Sequence, residues 1–275
     1  MKNFAMTLII TAVLFFQANF AFAAVRVMPT LIELNANKSR GNYLTTAFSV
    51  QADKGETIRF KLYPEYFTIT DSGKMSSAPS SNNADNLIPH ARFVPNEFTL
   101  KDGKPQLVRV TFTDIKNLPD GESRMVMFIE DVKAKEVLLP SGNKNVSTKL
   151  IVKTRLGIPI YVDRGRFVKV GRFDNLQIQK ENHNLVYKMS LSAGGNSKVR
   201  YHGKAQIIKD KKLIKEFEMN SNTIRANGVF EEKGMLPQNL EDGEYTMKVI
   251  LTYKNEKGES KNLIKEAQFN VTNSI

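Results

Sequence analysis

Apolar and polar residues alternate with a period of two along most of this chain, and in one place the alternation runs far beyond ordinary length. From Val146 to Val162 every even position is Val, Thr, Leu or Ile. The odd positions are Ser147, Lys149, Ile151, Lys153, Arg155, Gly157, Pro159 and Tyr161. That is one strand pattern held for 17 residues, where a typical strand has about 5–6. It carries one apolar edge and one largely basic edge.

Shorter strand patterns precede it at Val25–Leu34, Leu44–Gln51, Thr57–Tyr66, Phe98–Leu100, Gln106–Asp114 and Arg124–Val132, separated by Gly, Asn, Asp and Pro clusters. The Ser/Asn-rich stretch Asp71–Asn86 is aperiodic and predicts a flexible surface loop, and Leu139–Asn145 predicts a second loop. After the polar link "DRGR" (Asp163–Arg166), strands are expected at Phe167–Val170, Leu176–Gln179, Leu185–Leu191, Lys204–Lys209, Leu213–Met219, Tyr245–Tyr253 and Ala267–Val271. No segment keeps a helical period over 12 residues or more. Two groups of short strands predict an all-β chain of two tandem immunoglobulin-like β-sandwich domains, 24–163 and 164–275. In "EDGEYTM", Tyr245 follows a glycine by two residues at a strand start, either as the tyrosine corner of such sandwiches or as an ordinary turn.

Composition then narrows the setting. Residues 1–23 read as a signal peptide: Lys2, an apolar Met6–Phe16 run, and Ala21-Phe22-Ala23 as the cleavage signal. The apolar run is shorter than the roughly 20 residues of a spanning helix. No later stretch is apolar enough to span a bilayer, so an exported protein without a transmembrane segment is expected. With no cysteine, packing alone must hold the sandwiches. The net charge of +12 would suggest nucleic acid in a cytoplasmic protein, but export argues against that partner, and the charges are spread over both halves.

Candidate chemistry is sparse. His90, His183 and His202 lack metal-ligand spacing, and no nucleophile elbow, zincin or phosphate-loop motif is present. Gly194-Gly195 reads as a turn. Ser197 and Lys198 are adjacent, which in a strand points them to opposite faces. Acidic residues fall mostly in turns, where solvated charge is expected. No enzyme, metal or cofactor is anticipated.

Binding is the remaining reading. A long alternating strand is either internal to a sandwich or an edge offered to another protein, with main-chain hydrogen bonds for affinity and alternate side chains for specificity. Three motifs favour the second. "FVPNEFTLKDGKPQLVRV" carries Pro95, Phe98, Leu100, Gly103, Gln106 and Arg109; "LPDGESRMVMF" carries Leu118, Pro119, Asp120, Glu122 and Ser123; "TRLGIPIYV" closes the long strand. In this order they resemble the first domain of periplasmic pilus-assembly chaperones (PapD-like), over roughly Val25 to Val162, with the second domain similar only in kind.

The resemblance implies a periplasmic chaperone that caps a fimbrial or pilus subunit by donor-strand complementation, without cofactor or turnover, and leaves open an outer-membrane usher as a second partner. The donor residues would be Val146, Thr148, Leu150 and Val152, with Thr154 at the margin. Familiar members anchor the subunit's terminal carboxylate in the interdomain cleft with an Arg on the first strand and a Lys near the end of the donor strand. Here Leu31 stands at the first position and Arg155 at the second, with Arg26 as a stand-in for the missing partner. The competing expectation is an exported structural or adhesive protein whose long strand is internal.

Overall fold

The computed structural model describes residues 25–79, 81–139, 148–182 and 184–272. The first sandwich uses β1 (Val25–Met28), β2 (Ile32–Asn35), β3 (Tyr43–Ala52), β4 (Thr57–Ile69), β5 (Met75–Ala78), β6 (Ala91–Val94), β7 (Glu97–Lys101), β8 (Gln106–Thr113), β9 (Gly121–Asp131), β10 (Lys135–Leu139), β11 (Thr148–Val152) and β12 (Arg155–Arg164). The second uses β13 (Val170–Glu181), β14 (Asn184–Gly194), β15 (Val199–Lys209), β16 (Lys212–Ile224), β17 (Val229–Met235), β18 (Gly243–Lys254) and β19 (Ser260–Val271). The chain is two tandem immunoglobulin-like β-sandwiches.

One sheet of the first sandwich runs β1-β3-β8-β6, and the facing sheet runs β2-β12-β9-β4-β5 with β7 also on β4. Alternation sets what each strand buries. In β8, Val108, Val110 and Phe112 are fully enclosed while Leu107 and Arg109 face solvent. Strand β9 departs from this rule. Met125, Met127 and Ile129 enter the main core, while Val126 and Phe128 are buried on the opposite face beside Phe67, Ile69 and Tyr161. A strand covered on both sides reads as a continuous apolar run, which is what "MVMFI" is.

Three expectations are corrected. The first strand is broken: β1 pairs with β3, and β2 crosses to the other sheet to pair in parallel with β12. The stretch read as a flexible loop contains β5, which pairs with the end of β4 from Tyr66↔Ala78 to Ile69↔Met75. The long alternating segment is two strands, interrupted at Lys153 and Thr154. Strand β17 and strand β6 were also not anticipated, because each is short or carries little alternation.

In the second sandwich β13-β14-β17 packs on β16-β15-β18-β19. Met247, Val249 and Leu251 alternate inward along β18 against Tyr201, Ala205 and Ile207 of β15. The Tyr245 hydroxyl donates to the Glu241 carbonyl at 2.9 Å, and its ring stacks on Phe269 with centroids 5.5 Å apart. This is the tyrosine-corner arrangement of immunoglobulin-like folds. Tyr245→Phe removes the hydroxyl and keeps the ring, so the second sandwich should lose about 1 kcal/mol. Urea unfolding followed by near-UV circular dichroism would measure this, and an unchanged midpoint would show that the corner contributes nothing.

Candidate partner-binding site

Strand β9 keeps β12 as a neighbour from Gly121 to Glu130, and keeps β4 only up to Asp131. The Asp131 amide donates to the Thr154 carbonyl at 3.0 Å, and Val132 donates to Arg59 at 2.9 Å. Beyond that point the two strands leave the sandwich together. They continue as β10 and β11, paired antiparallel from Lys135↔Val152 to Leu139↔Thr148 and to nothing else among the described residues. On the other side, β2 reaches β12 only at Ile160 to Asp163. The edge from Thr148 to Pro159 is therefore open among the described residues.

Of the expected donor residues, Val146 lies outside the described residues, and Thr148 is placed by its backbone on β11. Leu150 is 45% exposed, Val152 is half-buried and Thr154 is exposed. Ile151, on the otherwise basic edge, is 62% exposed. A leucine, an isoleucine and a valine in sequence thus remain outside any core of the described residues. From Ile158 onward the side chains return inside: Ile158, Ile160 and Val162 belong to the main core.

The junction of β11 and β12 is held by charge. The Glu130 carboxylate on β9 receives the Lys153 ammonium and the Tyr63 hydroxyl, with Lys61 at 3.5 Å. Those contacts, Lys153 first, hold its carboxyl down at about 2, and burial beside Glu130 pushes the Tyr63 hydroxyl up to about 12. The Arg155 guanidinium carbon lies over the Phe128 ring, 3.5 Å from its centroid. The same guanidinium donates to Glu65 at 2.6 Å. Leu31 sits in the bend between β1 and β2 and packs against the cluster of Phe67, Val126, Phe128 and Tyr161. Arg26 pairs with Asp53 at 2.9 Å on the outer surface of the opposite sheet. The structure does not bring Arg26 and Arg155 together, because β1 and β12 belong to different sheets whose outward faces point apart.

The joint between the sandwiches is built from Glu33, Glu122, Asp163, Ser197 and Lys198, and it corrects the strand reading of Ser197 and Lys198, which lie before β15. Lys198, with 1% of its side chain exposed, places its ammonium 3.0 Å from Glu33 and 3.6 Å from Glu122. It also lies 3.7 Å above the Tyr161 ring. Glu122 accepts from the Lys198 amide at 2.9 Å and from Arg124 at 3.3 Å. Burial pushes the Glu122 carboxyl up, opposed by Lys198 and Arg124. Asp163 accepts from Ser197 and from Lys169, each at 2.6 Å. Ser197 and Lys198 precede β15 in a turn, so both polar ends can reach the first sandwich. In "DRGR", Gly165 has φ +62°, and a Cβ there would meet Asp120 Oδ1 at 1.8 Å. A side chain there would strain the backbone and push the Asp120 carboxylate aside.

No family model and no curated protein matches the chain. Among solved structures it is similar to the class 5 fimbriae chaperone CfaA, at 16% identity over 88% of this chain and 98% of that one, with a TM-score of 0.46. It is similar to the CsuC-CsuE chaperone-tip adhesion subunit pre-assembly complex of Acinetobacter baumannii, at 14% identity over 88% and 98%, TM-score 0.43. A third likeness is to the Salmonella enterica SafA pilin in complex with the SafB chaperone, at 12% identity over 91% and 97%, TM-score 0.42.

Because Glu130 is held below the ordinary carboxylate value of 4.5, its contribution is present above that value and lost as pH falls toward 2. The free energy of unfolding should decline between pH 5 and pH 2, and Glu130→Gln should flatten that decline. Urea titrations across the window check this; identical slopes for the two proteins would contradict it.

Proposed function

We propose that this protein is a periplasmic chaperone that binds and caps a fimbrial or pilus subunit by donor-strand complementation. The observation that carries the reading is the open edge from Thr148 to Pro159, which presents apolar residues away from either core. An exposed apolar strand edge invites aggregation and is ordinarily blunted by short length or charge. Its retention over this length fits a strand offered to a partner whose own sheet lacks one.

Val146, Thr148, Leu150 and Val152 would fill the partner's open core, with Thr154 at the margin. Burying three aliphatic side chains contributes several kcal/mol at about 1.5–3 kcal/mol each. Main-chain bonds along the edge fix the register, since a slip of one residue would present Lys149 and Lys153 to an apolar groove. Arg155 is the candidate carboxylate anchor, and a partner's terminal carboxylate would compete there with Glu65. Arg26, on the far surface, is not its complement. The proposal includes cleavage after residue 23, a donor-bearing domain over 24–163 and a second domain over 164–275. It involves no turnover. Among the described residues no helix is long and apolar enough to cross a membrane.

Leu150→Lys and Val152→Lys test the reading. Neither side chain lies in a core, so each variant should stay folded, with an unfolding free energy within about 0.5 kcal/mol of the parent. Each should fail to co-purify with a fimbrial subunit co-expressed in the periplasm. Undiminished binding by both variants, or their unfolding, would overturn the proposal.

A further inference from the structure

The β4–β5 hairpin does more than close a loop. Strand β4 runs beside β9 as far as Glu65↔Val126 and then departs. Residues 85–87 take its place: the Arg124 amide donates to Asp85 at 2.8 Å, and Leu87 donates to Arg124 at 3.2 Å. The hairpin root is tied down by Tyr66, whose hydroxyl donates to Asp85 at 2.9 Å and accepts from Arg124 at 3.2 Å. Freed from the sheet plane, the end of β4 lies over the outer face of its own sandwich. Phe67 meets Tyr161 of β12 edge-on, with centroids 5.5 Å apart, and Ile69 joins the same cluster.

The tip then reaches the second sandwich. Asp71 pairs with Arg225 at 3.0 Å. The Glu231 amide donates to the Asp71 carbonyl at 2.9 Å, so the tip seats on the edge of β17 that does not face β14. Gly73, with φ +74°, lies so close to Phe230 that a Cβ would come within 2.6 Å of the ring. Only glycine tolerates both that backbone conformation and that approach. Tyr66 at the root and Arg225 at the tip both line a cavity of about 480 Å³ between the sandwiches, together with Asp85, Glu122, Arg124 and Asn227.

We propose that the β4–β5 hairpin is an interdomain clasp. It holds the second sandwich at one angle to the first through Asp71, Gly73 and the β17 edge, and the groove between the sandwiches widens only when the tip releases. An aperiodic loop would need neither a glycine fitted against Phe230 nor a main-chain bond to another domain's strand.

The chain has no cysteine, so spin labels at Lys104→Cys and Lys212→Cys, both exposed, would be unique. Double electron–electron resonance should give one narrow distance for the parent. Arg225→Asp combined with Gly73→Val should give a broad or shifted distribution. Arg225→Asp combined with Asp71→Arg should restore the narrow one by reversing the pair. In the unlabelled parent, the Glu231 amide should exchange at least about tenfold more slowly than in the Gly73→Val variant. A broad parent distribution, an unaltered distribution in the folded clasp variant, or a freely exchanging Glu231 amide in the parent would each overturn the proposal.

Discussion

The pairing of β12 is the constraint on which the rest depends. It lies between β9, antiparallel over ten residue pairs, and β2, parallel over four. Full burial of Ile158, Ile160 and Val162 fixes its register, because a slip of one residue would turn those three outward. With that end of the segment immobilised, the residues before it have no freedom of phase. They leave the sandwich with β10, and which side chains they show is set by the buried half of the same alternation. The face shown by the outer part is thus inherited from packing in the inner part.

The same strand ends at the joint. Asp163, its penultimate residue, is buried against Ser197 and Lys169, and Tyr161 supports the Lys198 ammonium. Paired charges out of water give little net stability, but removing one partner strands the other at about 3–5 kcal/mol. The arrangement therefore favours one docking of the two sandwiches over alternatives. Joint and hairpin meet at Tyr161, which lies under the Lys198 ammonium and takes Phe67 edge-on.

Much of the architecture was legible because a period of two reports one buried face. Strands β3, β8, β14 and β18 all show it, and the tyrosine corner could be suspected from Gly243 and Tyr245. The pattern is silent where burial comes from another domain. The burial of Glu122, Asp163, Ser197 and Lys198 is hidden in sequence because it is made across the joint, Glu122 by Lys198 and Asp163 by Ser197, each pair far apart along the chain. The break at Lys153 and Thr154 was hidden for a related reason. Alternation persists through it, while the end of β9's pairing, which causes it, is a property of a different strand. Within the polar stretch after Ile69, β5 has four exposed residues and so no alternation to read. Gly73 in that stretch was a usable signal, since its positive φ demands a fixed turn. Arg26 shows the opposite failure: shared sequence character with Arg155 did not place it on the same surface.

Strand β11 stands apart from the sandwich while β12 belongs to it. Native-state hydrogen exchange of the unliganded protein compares them within one chain. A two-stranded ribbon with free edges is marginal in water, so amides of Thr148–Val152 should exchange through local opening, at least about a hundredfold faster than those of Ile158, Ile160 and Val162. Equal, global protection across both strands would mean that the segment is an internal strand and not an open edge.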